Sequence, residues 1–286
     1  MILIVLLIAL GLDFFLGGLE RLRQFGWWTR YYYLVENKAG HFGLWAGPLG
    51  VLGVLFLPML AIILLQLYFD YWSWSVEAIF SLVVLIYCLA PEKLDDRLDF
   101  YITAIEVENA EDRYNLEKEL IHTDVANGEN IELDVIKSTF IESQRRTFGV
   151  IFWFLLLGVP GAILYKLVCE LLKELTEIRS GFTDSLVDLK RILEWPVSRL
   201  MVLGMALAGH LMDALDGWRK TEALSLDAND DVLIEGGLGA LQYRDDYEPP
   251  DSSVAYWIEE TKSLINRTLV IWLAIIAVMT LSGKLG

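Results

Sequence analysis

Residues 44–69 read LWAGPLGVLGVLFLPMLAIILLQLYF, and no Asp, Glu, Lys or Arg occurs between positions 39 and 69. A helix rises about 1.5 Å per residue and needs about 20 apolar residues to cross roughly 30 Å of hydrocarbon, so this run is long enough to span a bilayer. Tyr68, Tyr71, Trp72 and Trp74 gather at its far end as an aromatic belt. Residues 71–91 carry Glu77 as their one charge. They predict a second helix, 75–90, returning through a tight turn near Asp70 to Ser75. The two together read as a membrane hairpin.

Working outward, the run Thr147 to Tyr165 is uncharged between Arg145-Arg146 and Lys166, but Gly158, Pro160 and Gly161 predict a kink or break in its second half. Thr268 to Gly283 is closed by Arg267 and Lys284, whose long stems reach the interface. At the start, Met1 to Leu12 is apolar, Asp13 interrupts and Phe14 to Leu19 resumes. With no basic n-region and no small-residue cleavage site, this stretch reads as an uncleaved helix with Asp13 facing inward. Trp195 to Met212, with Arg199 near its start and His210 near its end, either spans, lies in the interface or packs inside the protein. The expected fold class is therefore all-α: a polytopic helical membrane protein with four to six membrane helices and helical cytoplasmic segments. A composition that is 55% hydrophobic with a mean hydropathy of +0.45 agrees.

The 39 Asp and Glu against 23 Lys and Arg leave a net charge of −16, which repels phosphate backbones and argues against a nucleic-acid partner. That excess divides equally between 91–146 and 166–267. In both, apolar residues recur at helical spacing (Leu98, Ile102, Ile105; Leu171, Leu175, Ile178), so they read as folded segments, with loops at Ala126 to Asn130 and Asp245 to Ser253. The expected organisation is an N-terminal membrane region at 1–90, an acidic helical cytoplasmic segment at 91–146, a kinked span with polar-striped helices at 147–212, an acidic loop-rich segment at 213–267 and a C-terminal span at 268–286. Arg21, Arg23, Arg30 and Lys38 in the 20–43 connector place that connector, and hence 91–146, in the cytoplasm. The sidedness of 166–267 stays open. Cys88 and Cys169 form neither a disulfide framework nor a metal motif.

Several polar groups could carry chemistry. Glu142, Arg145 and Arg146 precede the third apolar run, either anchoring it among headgroups or lining a pocket for an anionic ligand, since the guanidinium fork suits phosphate and carboxylate. Asp184, Asp188, Arg191 and Trp195 fall on one helical stripe, as a site or as an ordinary surface with an Asp188–Arg191 pair. Arg199, His210 and Asp213 share a side of one apolar helix, pointing at a ligand or paired inside the bundle. Glu235-Gly236-Gly237-Leu238-Gly239 offers a turn whose amides could face an anion, or simply a helix start. Asp95, Asp96 and Asp99 form a solvated face or a weak divalent-cation site. His41, His122 and His210 lie too far apart for a zinc set, and no Walker motif is present, because Val278 stands where the first glycine before Lys284 should be. Mg²⁺ or a nucleotide is conceivable as a cofactor, but no motif supports it.

Ser180-Gly181, Asp184, the block Glu194-Trp195-Pro196-Val197-Ser198-Arg199-Leu200 and Gly209-His210 together resemble the AmpE family of bacterial inner-membrane proteins, named for its link to β-lactamase regulation. The order of two adjacent early spans, one mid-chain span and one C-terminal span is similar too. AmpE proteins in turn resemble the CobD/CbiB synthases of the cobalamin pathway, membrane enzymes that attach an aminopropanol arm to the corrin ring, and here Glu142, Gly158 to Tyr165, Trp195-Pro196-Arg199 and Asn229 to Leu241 match that pattern. The chain departs from it at Cys169-Glu170-Leu171-Leu172-Lys173, where the enzymes carry an Asn and an acidic residue, and at Lys190-Arg191, where they carry an acidic pair.

The resemblance implies a multi-pass protein of the bacterial inner membrane, more a non-enzyme than an enzyme: a signalling modulator associated with β-lactamase induction and cell-wall recycling. Its partners would be the lipid bilayer and another membrane or cell-wall-recycling protein. The alternative is a membrane-embedded ATP- or Mg-dependent synthase related to adenosylcobinamide-phosphate synthase. The candidate ligand-binding residues are Glu142, Arg145, Arg146, Asp184, Asp188, Arg199, His210, Glu235, Gly236 and Gly237. Arg199, Glu142, Arg146 and Asp184 are expected to approach one another, because an Arg at the head of an apolar helix must find acidic or solvent partners.

Overall fold

The computed structural model describes residues 2–15, 25–40, 45–89, 92–121, 130–175, 178–222, 224–244 and 255–282. His41, His122, the loops at 126–129 and 245–253 and the side chain of Asp13 lie outside the described residues. Among those described, every regular element is a helix, and the protein is all-α. The chain divides into two compact units, one formed by 1–90, 149–194 and 280–286, the other by 91–148 and 195–279.

The first unit contains α1 (Ile2–Phe15), α2 (Gly26–Ala39), α3 (Pro48–Trp72), α4 (Trp74–Cys88), α8 (Gly149–Leu157), α9 (Val159–Glu174) and the start of α10 (Gly181–Ala208). Pro48 opens α3, where its missing N–H costs nothing and its fixed φ suits the helix. The turn between α3 and α4 is a single extended residue, Ser73, whose hydroxyl accepts from the Ser75 amide at 3.3 Å and caps α4. Gly158 sits at φ 70, a backbone that only glycine adopts freely, and Pro160 follows inside the first turn of α9. The apolar run 147–165 is thereby cut into the hairpin α8–α9. A Cβ on Gly149 would lie 2.2 Å from the Tyr165 ring, and one on Gly161 2.3 Å from the Trp153 carbonyl oxygen, so these two helices touch nearly backbone to side chain. The Trp28 indole, fully buried, donates to the Leu167 carbonyl at 3.0 Å and pins α2 to α9. Cys88 and Cys169 are both buried.

The second unit contains α5 (Glu92–Glu106), α6 (Ala110–Leu120), α7 (Ile131–Ser143), a π-helical turn at Gln144–Phe148, the remainder of α10, α11 (Leu211–Arg219), α12 (Asn229–Leu241) and most of α13 (Tyr256–Leu281). Asn109 and Asn130 cap α6 and α7 by accepting from amides of their first turns. The packing centre is α12. A Cβ on Gly236 would lie 2.5 Å from Val202 of α10, one on Gly237 2.7 Å from the Phe140 ring of α7, and one on Gly239 2.2 Å from the Asp213 carbonyl of α11. Three sides of one helix are thus pressed against three others. On α5, Asp99 binds Lys262 of α13 through both carboxylate oxygens, at 2.6 and 2.7 Å.

Among the described residues two helices are long and apolar enough to cross a membrane, Pro48–Tyr71 and Tyr256–Leu281, where four to six were expected. The remaining apolar helices are short: α1 has 14 residues, α4 has 15, α8 has 9 and α9 has 16. Gly158 accounts for the split run at 147–165. Trp195 to Met212 is not one helix either, because α10 ends at Ala208 and α11 begins at Leu211, the backbone between them held by the His210 amide donating to the Ala240 carbonyl at 3.0 Å. Along α3 the apolar surface points outward, with Leu49, Leu52, Phe56 and Leu57 between 58% and 66% exposed.

Two outcomes follow from the packing. Gly149→Val should destabilise the fold by about 1–3 kcal/mol through overpacking against Tyr165, seen as a lower melting temperature of the detergent-solubilised protein, whereas Gly53→Val, where a Cβ meets nothing within 4 Å, should leave it unchanged. Burial raises the pKa of Asp95 against the opposing pull of Lys262, so its ionised form is disfavoured in the folded state. That cost is present above the raised pKa and vanishes once the group is protonated in both states. Asp95→Asn should therefore raise the melting temperature by about 1–2 °C at pH 7 and have no effect near pH 3.

Candidate functional site

The helical ladder of α7 widens into the π turn Gln144–Phe148 before α8 resumes. Such turns are rare and recur at functional sites, since the widened turn re-aims the side chains around it. The expected trio sits here. Glu142, 6% exposed, accepts from the Arg146 guanidinium one turn on. Arg145 reaches instead to Asp230 of α12, its Nη2 lying 3.4 Å from Oδ2. The other Asp230 oxygen and Gln144 Oε1 are buried with no hydrogen-bond partner among the described residues.

Beside Asp230 stands Asn229, the first residue of α12, and this is where Arg199 goes. Arg199 is buried, and burial pulls its pKa below the ordinary guanidinium value. Its Nη1 donates to Asn229 Oδ1, to Ser198 Oγ at 2.9 Å and to the Trp195 carbonyl at 3.2 Å, while Nη2 donates to the Ser225 carbonyl at 2.8 Å. The guanidinium also lies 5.0 Å from the centre of the Trp195 ring, within cation–π range. Trp195 in turn donates its indole N–H to the Leu224 carbonyl at 3.3 Å. Trp195 and Arg199, one helical turn apart, thus grip two consecutive carbonyls of the loop that leads into α12. The Trp-Pro-x-x-Arg block is a clamp that sets the position of the α12 head.

The structure brings Arg145 and Arg199 together at the head of α12 through the adjacent residues Asp230 and Asn229, while Glu142 and Arg146 pair with each other on the turn that carries Arg145. The expected fourth member does not join them. Asp184 is exposed, near the start of α10, four turns from Arg199 on the same helix and in the other unit. Asp188 pairs with Arg191 at 3.4 Å, both well exposed, an ordinary surface pair worth less than about 1 kcal/mol. His210 is exposed in the break between α10 and α11, so it does not share a helical stripe with Arg199, and Asp213 belongs to the next helix. Glu235, Gly236 and Gly237 form no turn: they lie inside α12, with their amides in its ladder and the two glycines spent on close packing. Sequence reasoning included Ser198 and Asp230 in the stretches that carry the resemblance without giving either a role at the site, and it missed Ser225 and Gln144. The signal for Asp230 was the run Asn229-Asp230-Asp231, short polar residues of the kind that open helices.

Among the described residues no three His, Cys, Asp or Glu side chains converge as a metal site, and Asp99 is engaged by Lys262. The described residues therefore offer no preformed three-carboxylate set for Mg²⁺. What the arrangement offers is two guanidinium groups flanking the head of a helix whose N-cap, Ala228, provides no side-chain cap. Such a setting suits a carboxylate or phosphate group, which the helix dipole and the arginine forks both favour.

Comparison with known proteins gives a partial likeness. The chain is 30% identical over 111 residues to the cobalamin biosynthesis protein CobD of Chromobacterium violaceum, a match covering 37% of this chain and 35% of that protein. It is 27% identical over 118 residues to the CobD protein of Stutzerimonas stutzeri, covering 40% and 38%. The likeness therefore spans little more than a third of the length of these curated relatives. No family model matches the chain, and no solved structure does.

Proposed function

We propose that this chain is a membrane-embedded synthase related to the CobD proteins, with the head of α12 as the place where an anionic, carboxylate- or phosphate-bearing substrate is held. The observation that carries this reading is the distant similarity to two cobalamin biosynthesis proteins. The polar group around Arg199 supports it. Arg199 acts there as a positioning residue, fixing loop and helix head, while Arg145, whose bond to Asp230 is long at 3.4 Å, is the cation that would turn to a substrate oxygen. The reaction would join a substrate carboxylate to an amine with ATP as co-substrate: the carboxylate oxygen takes up the terminal phosphoryl group as ADP leaves, and the amine then displaces phosphate from the acyl carbon to form the amide. Among the described residues no three His, Cys, Asp or Glu side chains converge as a metal site, so a Mg²⁺ would be held largely by the phosphates of the nucleotide.

Helices α3 and α13 would hold the protein in a bacterial inner membrane, and α1, α4 and the α8–α9 hairpin would complete a set of four to six if they enter the bilayer as shorter elements. Short elements can be accommodated by local thinning at modest cost.

One observation favours a second reading. Lys190 lies 3.2 Å from Glu194, which is 2% exposed, so the carboxylate next to the position where the synthases carry an acidic pair is already neutralised. A scaffold that has lost its acidic pair suits a non-catalytic modulator of the AmpE kind, acting on β-lactamase induction through a membrane or cell-wall-recycling partner.

The purified protein, supplied with a cobyric acid-type substrate, aminopropanol phosphate, ATP and Mg²⁺, should yield an amide product detectable by mass spectrometry. Arg145→Gln should lower that yield by at least about tenfold, the scale of a lost charge-assisted hydrogen bond. A folded protein that forms no product would overturn the synthase reading. If inducible β-lactamase activity is then lost in cells carrying Arg145→Gln at normal abundance, the modulator reading takes its place.

A further inference from the structure

In the second unit a groove of about 1000 Å³ runs between α5, the end of α10 and α13. Its aliphatic lining comes from Ile102, Leu207, Val270 and Ile271. The rest is polar. On α13, Glu259, Ser263, Asn266 and Val270 follow at i, i+4, i+7 and i+11, one stripe of the helix, so the groove-lining face passes from carboxylate through hydroxyl and amide to hydrocarbon. Arg267 stands at the change, half exposed, its ion pair with Glu260 stretched to 3.5 Å. Directly after it α13 turns apolar and outward-facing, with Val270, Ile275 and Val278 at 65%, 48% and 66% exposed.

This order matches the build of an aminophospholipid. From hydrocarbon outward the groove presents aliphatic side chains, then a guanidinium with an amide, then a carboxylate. An aminophospholipid presents acyl chains, then a phosphate, then an ammonium. We propose that the groove binds a zwitterionic aminophospholipid of the phosphatidylethanolamine type, its acyl chain along Leu207 and Val270, its phosphate on Arg267 and Asn266, and its ammonium on Glu259. Charge balance selects this lipid over an anionic one. The groove lining carries Lys262 and Arg267 against Asp99 and Glu259, with Lys262 already bound by Asp99 at 2.6 Å, and the chain as a whole carries −16. An anionic headgroup would meet both an unfavourable field and an unanswered carboxylate at Glu259. A primary ammonium satisfies that carboxylate by hydrogen bonding as well as by charge, which the methylated ammonium of phosphatidylcholine does not.

The inference rests on α13 crossing a membrane, and the test separates the two. Membranes containing the protein are first washed with alkaline carbonate; release of the chain into the soluble fraction would defeat the membrane reading and this site with it. The retained protein is then examined by native mass spectrometry in detergent with equal amounts of phosphatidylethanolamine, phosphatidylglycerol and phosphatidylcholine. Phosphatidylethanolamine should be retained about fivefold over either of the others, a difference of about 1 kcal/mol. Glu259→Gln, a change at an exposed side chain that the fold tolerates, should abolish the preference over phosphatidylcholine while leaving some lipid bound. Val270→Trp should fill the groove and reduce binding of all three. Equal or better retention of phosphatidylglycerol, or an unchanged preference in Glu259→Gln, would overturn the proposal while leaving the membrane reading intact.

Discussion

A buried guanidinium cannot shed its charge, so it must be surrounded by acceptors, and the second unit is arranged around that requirement at Arg199. The acceptors come from three places: its own helix at Trp195 and Ser198, the loop at Ser225, and the first residue of α12 at Asn229. Removing the side chain would take a donor from the Ser225 carbonyl and from the Asn229 amide oxygen, and a buried acceptor left unsatisfied costs about 1–3 kcal/mol. Meeting the requirement fixes the loop, the loop fixes the head of α12, and the head of α12 carries Asp230 to Arg145. The glycines farther along α12 then let it lie close against α7, α10 and α11 without disturbing that anchor point. Specificity at one end of the helix and close contact along its length therefore come from two different kinds of residue.

Much of this was legible in the letters, and the limits have physical causes. Helical spacing over 91–146 and the uncharged run over 44–69 announced helices because periodicity and length are local properties. The break at Gly158 and Pro160 was visible for the same reason. Arg199 stood out as an ionisable residue in an apolar stretch, yet its acceptors did not, since the Ser225 carbonyl leaves no mark on a sequence. The glycines of α12 misled: Gly236-Gly237 resembles a turn, and only the nearness of Val202 and Phe140 reveals that small size, not backbone freedom, is what those positions need. The stripe drawn through Arg199, His210 and Asp213 failed because it assumed an unbroken helix, whereas Gly209 brings the backbone close to Ala240 and the chain turns there.

The count of membrane helices shows how much a single residue can alter an architecture read from hydropathy. A 19-residue window over 147–165 registers only composition, and composition is unchanged by one glycine at positive φ. The hairpin that results buries Tyr165 and Phe154 on the inside of the first unit. Phe154, Val159, Ala162 and Tyr165 fill a protein core, the other destination that hydrophobic sequence can have, while Leu156 and Leu157 face outward.

The two cysteines bear on how the molecule can be studied. Cys88 and Cys169 are 1% and 5% exposed and sit in the interior of the first unit, so a polar thiol reagent meets neither in the folded protein. The wild-type chain is in effect silent towards maleimides, and a thiol placed anywhere on its surface becomes the one that reacts. Fluorophores, spin labels or bulky tags can be attached site by site with the native thiols left in place. The packing around α4 and α9 is then undisturbed in every labelled variant, and a signal can be assigned to its site without a cysteine-free background.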